Sequence, residues 1–184
     1  MNKTLLFILP AFLLVYSAKA QQEERPIEFA NGKFSTKANI NNNNFSKESL
    51  KVTVYNNEYY VLLQFNELPS LKQRAELKKA GISLGSYMPG NAYYATISGN
   101  FDFAKAKGFN VASINAIPAA YKIDQQLKTF TKASDTSKSQ LFAVSFFETV
   151  NRQTVVRAIQ ELGGIFKESK LSAGNIVLIE TNPS

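Results

Sequence analysis

The side chains that could do chemistry here are glutamates, serines and tyrosines, because the sequence contains no His and no Cys. Glu67 and Glu76 flank one helix-forming segment; Glu148 and Glu161 flank another. Two carboxylates held a few ångströms apart in a cleft could hydrolyse a glycosidic bond as acid and base. These four fall instead at strand ends or on polar helix positions, where Glu is normally solvated. Ser86, Ser98 and Ser145 lack the imidazole that would activate them, and no Ser-x-x-Lys motif falls on a helix. Zinc and copper sites built on imidazole or thiolate are excluded for the same reason. The stretch SLGSYMPG contains glycines but lacks the Lys-Ser/Thr ending of a phosphate loop. Tyr59, Tyr60, Tyr93 and Tyr94 could stack a ligand, although strand aromatics more often belong to a core or an interface. The expectation is a protein that is not an enzyme and has no cofactor and no metal; carboxylate-only acid/base chemistry is the one catalytic class formally open.

Composition narrows the partners. The net charge is +7, and it falls by two when Lys3 and Lys19 leave with the leader. The remaining lysines are scattered, and the arginines are only Arg25, Arg74, Arg152 and Arg157. Nucleic-acid binding needs a dense basic stripe, so none is expected. Lys3, the apolar run Leu5–Tyr16 and Ala18-Lys19-Ala20 read as a signal peptide over residues 1–20, cleaved after Ala20. Export to the periplasm or outside the cell follows, with no membrane association once the signal is removed. An exported chain without Cys must be held by packing alone.

The elements that position these residues come in two copies. YYVLLQF…LKKAGISLGSYMPGNAYYATISGN closes at Asn100, and LFAVSFF…IQELGGIFKESKLSAGNIVLIETN closes at Asn182. Gly81 corresponds to Gly163, an offset of 82 residues. Residues 21–50 are polar, contain the run Asn41–Asn44, and read as a loosely ordered leader. Val52 and Val54, then Asn56-Asn57, then Tyr59, Val61, Leu63 and Phe65 read as a hairpin. Ser70 and Gln73 form a capping box before a helix that runs to Ala80, with Gly81 as its stop. Strands at 82–88 and 92–97, a helix at 101–107 ended by Gly108, and a strand at 109–117 complete a first unit over residues 51–117. Residues 118–139 are a polar linker anchored by Tyr121, Ile123, Leu127 and Phe130. The second unit, 140–184, has a strand at 141–147 and a helix capped by Asn151 with Val155, Ala158, Ile159 and Leu162 on one face. Strands at 165–169 and 175–181, joined by a turn at 172–174, follow.

The fold class is therefore α+β: two tandem ferredoxin-like βαββαβ units, the second truncated to βαββ. The early stop of the second copy suggests the front part of something larger. In such a sandwich both helices cover one face of the sheet, and the other face should be polar if it meets water. Here the opening strands are apolar on both sides. Tyr60, Leu62, Phe142, Val144 and Phe146 form the candidate docking face, unless the two units cover each other.

The segments YYVLLQF, LKKAGISLGSY and PGNAYYATI resemble the propeptide-type module, inhibitor I9-like, that precedes subtilisin-like serine peptidases. With its NAIPAAYKID continuation, the first copy resembles the N-terminal region of large secreted subtilisin-like peptidases of Bacteroidetes-type bacteria. The resemblance covers about residues 52–184. It implies a folding assistant or inhibitor that docks its sheet on a subtilisin-like catalytic domain, in cis or in trans. The catalytic Asp, His and Ser motifs of that family are missing, so peptidase activity is not implied, and neither is an inhibitory tail. The alternative is a stand-alone exported module that binds protein or glycan.

Overall fold

The computed structural model describes residues 26–36, 38–40, 45–127, 139–170 and 174–181. The expected signal peptide, the Asn41–Asn44 run, Phe130 and Ser172 lie outside the described residues. The chain is a mixed α+β protein built on antiparallel sheets with few helices.

β3 (Val54–Tyr55) and β4 (Glu58–Phe65) form a hairpin across Asn56 and Asn57, whose φ angles are +48° and +58°. Two left-handed residues in succession match the twist of the flanking strands, and Asn tolerates that conformation. Val52 lies outside the hairpin, in a 3-10 helix over Lys47–Thr53. β4 pairs antiparallel with β6 (Ala92–Ser98) on one side and with β7 (Val111–Asn115) on the other. β5 (Ile82–Met88) pairs with the far edge of β6. The four long strands thus lie in the order β7-β4-β6-β5.

Between β4 and β5 runs α1 (Leu71–Lys79). The capping box is made as expected: Gln73 N donates to Ser70 Oγ at 3.3 Å, and Ser70 N donates to Gln73 Oε1 at 2.8 Å. Gly81, with φ +94°, turns the chain out of the helix. Leu77 is its buried residue and packs with Val61, Leu63, Ala95 and Ile97 on the helix side of the sheet. The expected second helix is a 3-10 helix over Phe103–Phe109. It ends at Asn110, φ +60°, rather than at Gly108.

Residues 26–36, 38–40 and 45–50 contribute more than a loosely ordered leader. β1 (Ile27–Phe29) and β2 (Gly32–Phe34) form a hairpin, and Ile27 and Leu50 are fully buried. Leu50 joins the core on the helix side, whereas Ile27 lies against the opposite face. A short helix, α2 (Ala119–Lys122), follows β7.

The second unit comprises β8 (Gln140–Ser145), α3 (Arg152–Glu161), β9 (Ile165–Lys167) and β10 (Ile176–Thr181). Its strand order, β8-β10-β9, parallels β4-β6-β5 of the first. Asn151 Oδ1 caps α3 by accepting from Gln153 N and Thr154 N. Packing here is thinner. Val177 and Leu178 are buried, α3 has no buried residue, and Leu162 at its end is 88% exposed. Val155 and Ile159 are half-buried, but Ala158 is exposed.

Candidate functional site

The side of the first sheet that α1 leaves free was the candidate docking face. Alternation along β4 puts Tyr60, Leu62 and Gln64 there, opposite Thr96, Tyr94 and Ala92 of β6. Leu62 is nevertheless fully buried. It is enclosed by Ile27 and Ala92, with Phe29, Phe34 and Ile117 packed around them. Tyr121 of α2 pins this cover: its ring lies 4.9 Å from Phe29 and 5.4 Å from Phe34, and its hydroxyl donates to Lys33 O at 2.9 Å. Beneath the hairpin, Thr36 Oγ1 donates to Gln64 Oε1 at 2.6 Å, and Gln64 Nε2 donates to Gly90 O at 2.8 Å. Ser113 Oγ donates to Thr36 Oγ1 at 3.3 Å, so the buried polar groups are satisfied. Leu62 is thus interior rather than available to a partner. The face closes because it is apolar and the polar-looking leader carries the few apolar residues that fit it.

Tyr60, at the other end of the same face, is half-buried by a different segment. Phe147 packs edge-on against Tyr60 at 5.0 Å and against Tyr94 at 5.8 Å between centroids. Thr149 Oγ1 shares a 2.9 Å hydrogen bond with Thr96 Oγ1. Residues 147–149 precede α3, so the second unit meets the first at this point. Burial, with a hydrogen bond from the Tyr60 hydroxyl to Glu58 Oε2 at 2.9 Å, pushes the Tyr60 phenol up to about 12. Burial also raises the Tyr94 phenol.

Phe142 and Val144 fall on the other side of their sheet from that expected. In the first unit the helix side carries odd-numbered residues on both β4 and β6, as in the pair Val61 and Ala95. In the second, Arg152 of α3 lies 5.7 Å over the Phe166 ring, Phe166 pairs with Ile179, and Ile179 pairs with Phe142. Phe142 and Val144 therefore face α3, as Tyr59 and Val61 face α1. The constant offset of 82 slips by one residue in the opening strand, and a one-residue slip moves every side chain to the opposite face. Phe146, half-buried just beyond β8, extends the ladder by donating its N–H to Asn175 O at 2.9 Å.

The remaining candidates are dispersed. Glu67, Glu76, Glu148 and Glu161 are exposed, and Ser86 and Ser145 lie on the surface. Tyr59 and Tyr93 belong to the core, where the Arg74 guanidinium sits 5.0 Å over the Tyr93 ring and bonds its hydroxyl. Among the described residues no cluster of acidic side chains could hold a metal ion, and no helix is long and apolar enough to cross a membrane. The residues that sequence reasoning missed are Phe147 and the hairpin aromatics Phe29 and Phe34. For the hairpin a signal existed: Asn31-Gly32 sits between IEF and KF, a turn dipeptide between two short strands.

Residues 28–118 match a family model described as a domain of unknown function (DUF8729). The matched stretch begins inside β1 and ends just beyond β7, so it takes in the hairpin cover together with the first sheet. No curated protein and no solved structure matches the chain.

Proposed function

We propose that this chain is a non-catalytic, exported docking module of the pro-region type that accompanies subtilisin-like serine peptidases. Its two units are read as ferredoxin-like, the second as βαββ. The order β7-β4-β6-β5, with α1 and a 3-10 helix as crossovers, supports the first assignment; β8-β10-β9 with α3 supports the second.

One observation carries the docking role. Covered by its own hairpin, the first sheet has little apolar surface left on its second face, whereas the second unit keeps Leu162 and Ile165 exposed at 88% and 58%. They flank the Gly163-Gly164 bend between α3 and β9, and this exposed apolar pair is the surface proposed to meet a partner. The docking surface is thereby moved from the opening strands to the end of α3.

The experiment uses residues 21–184 and the purified subtilisin-like peptidases secreted by the same organism. A complex should form, with slower hydrolysis of a peptide substrate, and Leu162→Ser with Ile165→Ser should weaken it at least about tenfold. Absence of a complex with any of these peptidases overturns the proposal, and binding to glycan or cell envelope alone would favour the stand-alone adhesion module.

A further inference from the structure

We propose that Asn31 is a site of spontaneous modification: its side chain closes on the Gly32 nitrogen, loses ammonia and releases the β1–β2 hairpin from α2. Among the asparagines of the sequence, Asn31 alone is followed by Gly. A glycine leaves its main-chain nitrogen unshielded by a side chain, so the preceding amide can reach it. The surroundings of Gly32 are open as well. Its φ is +134°, and a Cβ at this position would find only the Tyr121 ring within 4 Å, at 3.9 Å, among the described residues. Ala30 and Asn31 form the loop between Phe29 and Gly32, which pair across the hairpin.

The reaction needs no co-reactant except water. Gly32 N gives up its proton and bonds to Asn31 Cγ. The Cγ–Nδ2 bond breaks, and Nδ2 leaves as ammonia carrying that proton. Water then opens the cyclic imide at one of its two carbonyls, leaving aspartate or isoaspartate at this position. Nothing is oxidised or reduced.

The departing nitrogen is the latch between the hairpin and α2. Asn31 Nδ2 donates to Ala120 O at 2.5 Å and to Ile123 O at 3.1 Å, so both of its hydrogens are engaged by α2 and the residue after it. Asn31 Oδ1 is buried without a hydrogen-bond partner among the described residues. A carboxylate here has no hydrogen to donate. Two carbonyl oxygens would then face a charged acceptor, one of whose oxygens no donor reaches. The side chain must swing away from Ala120 and Ile123. Isoaspartate also adds a carbon to the main chain, inside a loop whose length sets the pairs Phe29–Gly32 and Glu28–Lys33. What still holds this end of the hairpin is Tyr121, through Phe29, Phe34 and Lys33 O. Cyclisation passes the same gate, since Nδ2 departs only after leaving both carbonyls. Opening of the latch therefore admits the reaction, and the reaction makes the opening irreversible, loosening the cover over Leu62 with age.

Residues 21–184 held at mildly alkaline pH and sampled over weeks should show acid in place of amide at Asn31 ahead of every other asparagine, read by peptide mapping with mass spectrometry. Tyr121→Phe removes the hydroxyl bond to Lys33 O and should speed the change about two- to tenfold. Tyr121→Ala removes the ring contacts too and should speed it further. Asn31→Asp should reproduce the product, with amides of Ile27–Phe34 exchanging at least about tenfold faster than in the parent while β6 stays protected. Should that variant not fold, the aged parent protein, separated from its unmodified form, carries the same measurement. An Asn31 no more reactive than the other asparagines, a rate indifferent to both Tyr121 variants, or a modified protein whose hairpin is as protected as the parent's would each overturn the proposal.

Discussion

Leu62 has no exposed surface, and part of what encloses it comes from a hairpin about thirty residues upstream. Truncating such a side chain removes transfer free energy and leaves a cavity between β4 and the hairpin. Leu62→Ala should therefore destabilise the protein by about 2 to 5 kcal/mol, read as a lower urea midpoint. An exposed docking residue at this position would change stability by less than about 0.5 kcal/mol, and that result would return Leu62 to the surface. The strand and its alternation were legible because period two is a local property of VLLQF. The burial of Leu62 was not, because its cover is made by Ile27, Phe29 and Phe34, sparse apolar residues in a stretch whose average polarity hides them. Phe142 shows the same limit from the other side. Its apolar character was plain, but which face it takes depends on pairing with Ile179, a contact across 37 residues that no local pattern encodes.

Elements whose boundaries rest on local chemistry were readable. The α1 capping box, the Asn56-Asn57 turn, the Asn151 cap and the stops at Gly81 and Gly163 are all made within a few residues. The end of the second crossover was not legible because Asn110, not Gly108, takes the left-handed conformation, which Asn adopts more readily than most residues other than Gly. The two sheets should also differ in stability. The first is packed on both sides, whereas in the second only Val177 and Leu178 are buried among the described residues, and α3 is left half-covered. Amides of β8 and β10 should consequently exchange through a local opening, at least about tenfold faster than those of β4 and β6. Hydrogen exchange followed by mass spectrometry measures this directly. Equal protection in the two sheets would mean that they open as one cooperative unit.

At the scale of the whole molecule, the joint between the two units is small and aromatic. Phe147 inserts between Tyr60 and Tyr94, and the Thr149–Thr96 hydrogen bond lies beside it. Burial is the largest cause of the rise of the Tyr60 phenol from 10 to about 12 and the Glu58 hydrogen bond comes second, while the Thr149 hydroxyl at the joint acts to lower it. A phenol whose folded value is raised is held neutral by the fold. Its contribution to stability is complete below pH 10 and is lost as pH rises towards 12. Phe147→Ala admits water to the ring but leaves Glu58 in place, so the Tyr60 value should fall part of the way back towards 10. Ultraviolet titration of the phenolates should then lose its latest-ionising component. Urea midpoints at pH 9 and pH 11 should differ less for the variant than for the parent. An unchanged titration would place the burial of Tyr60 within the first unit alone and leave Phe147 with no part in joining the two.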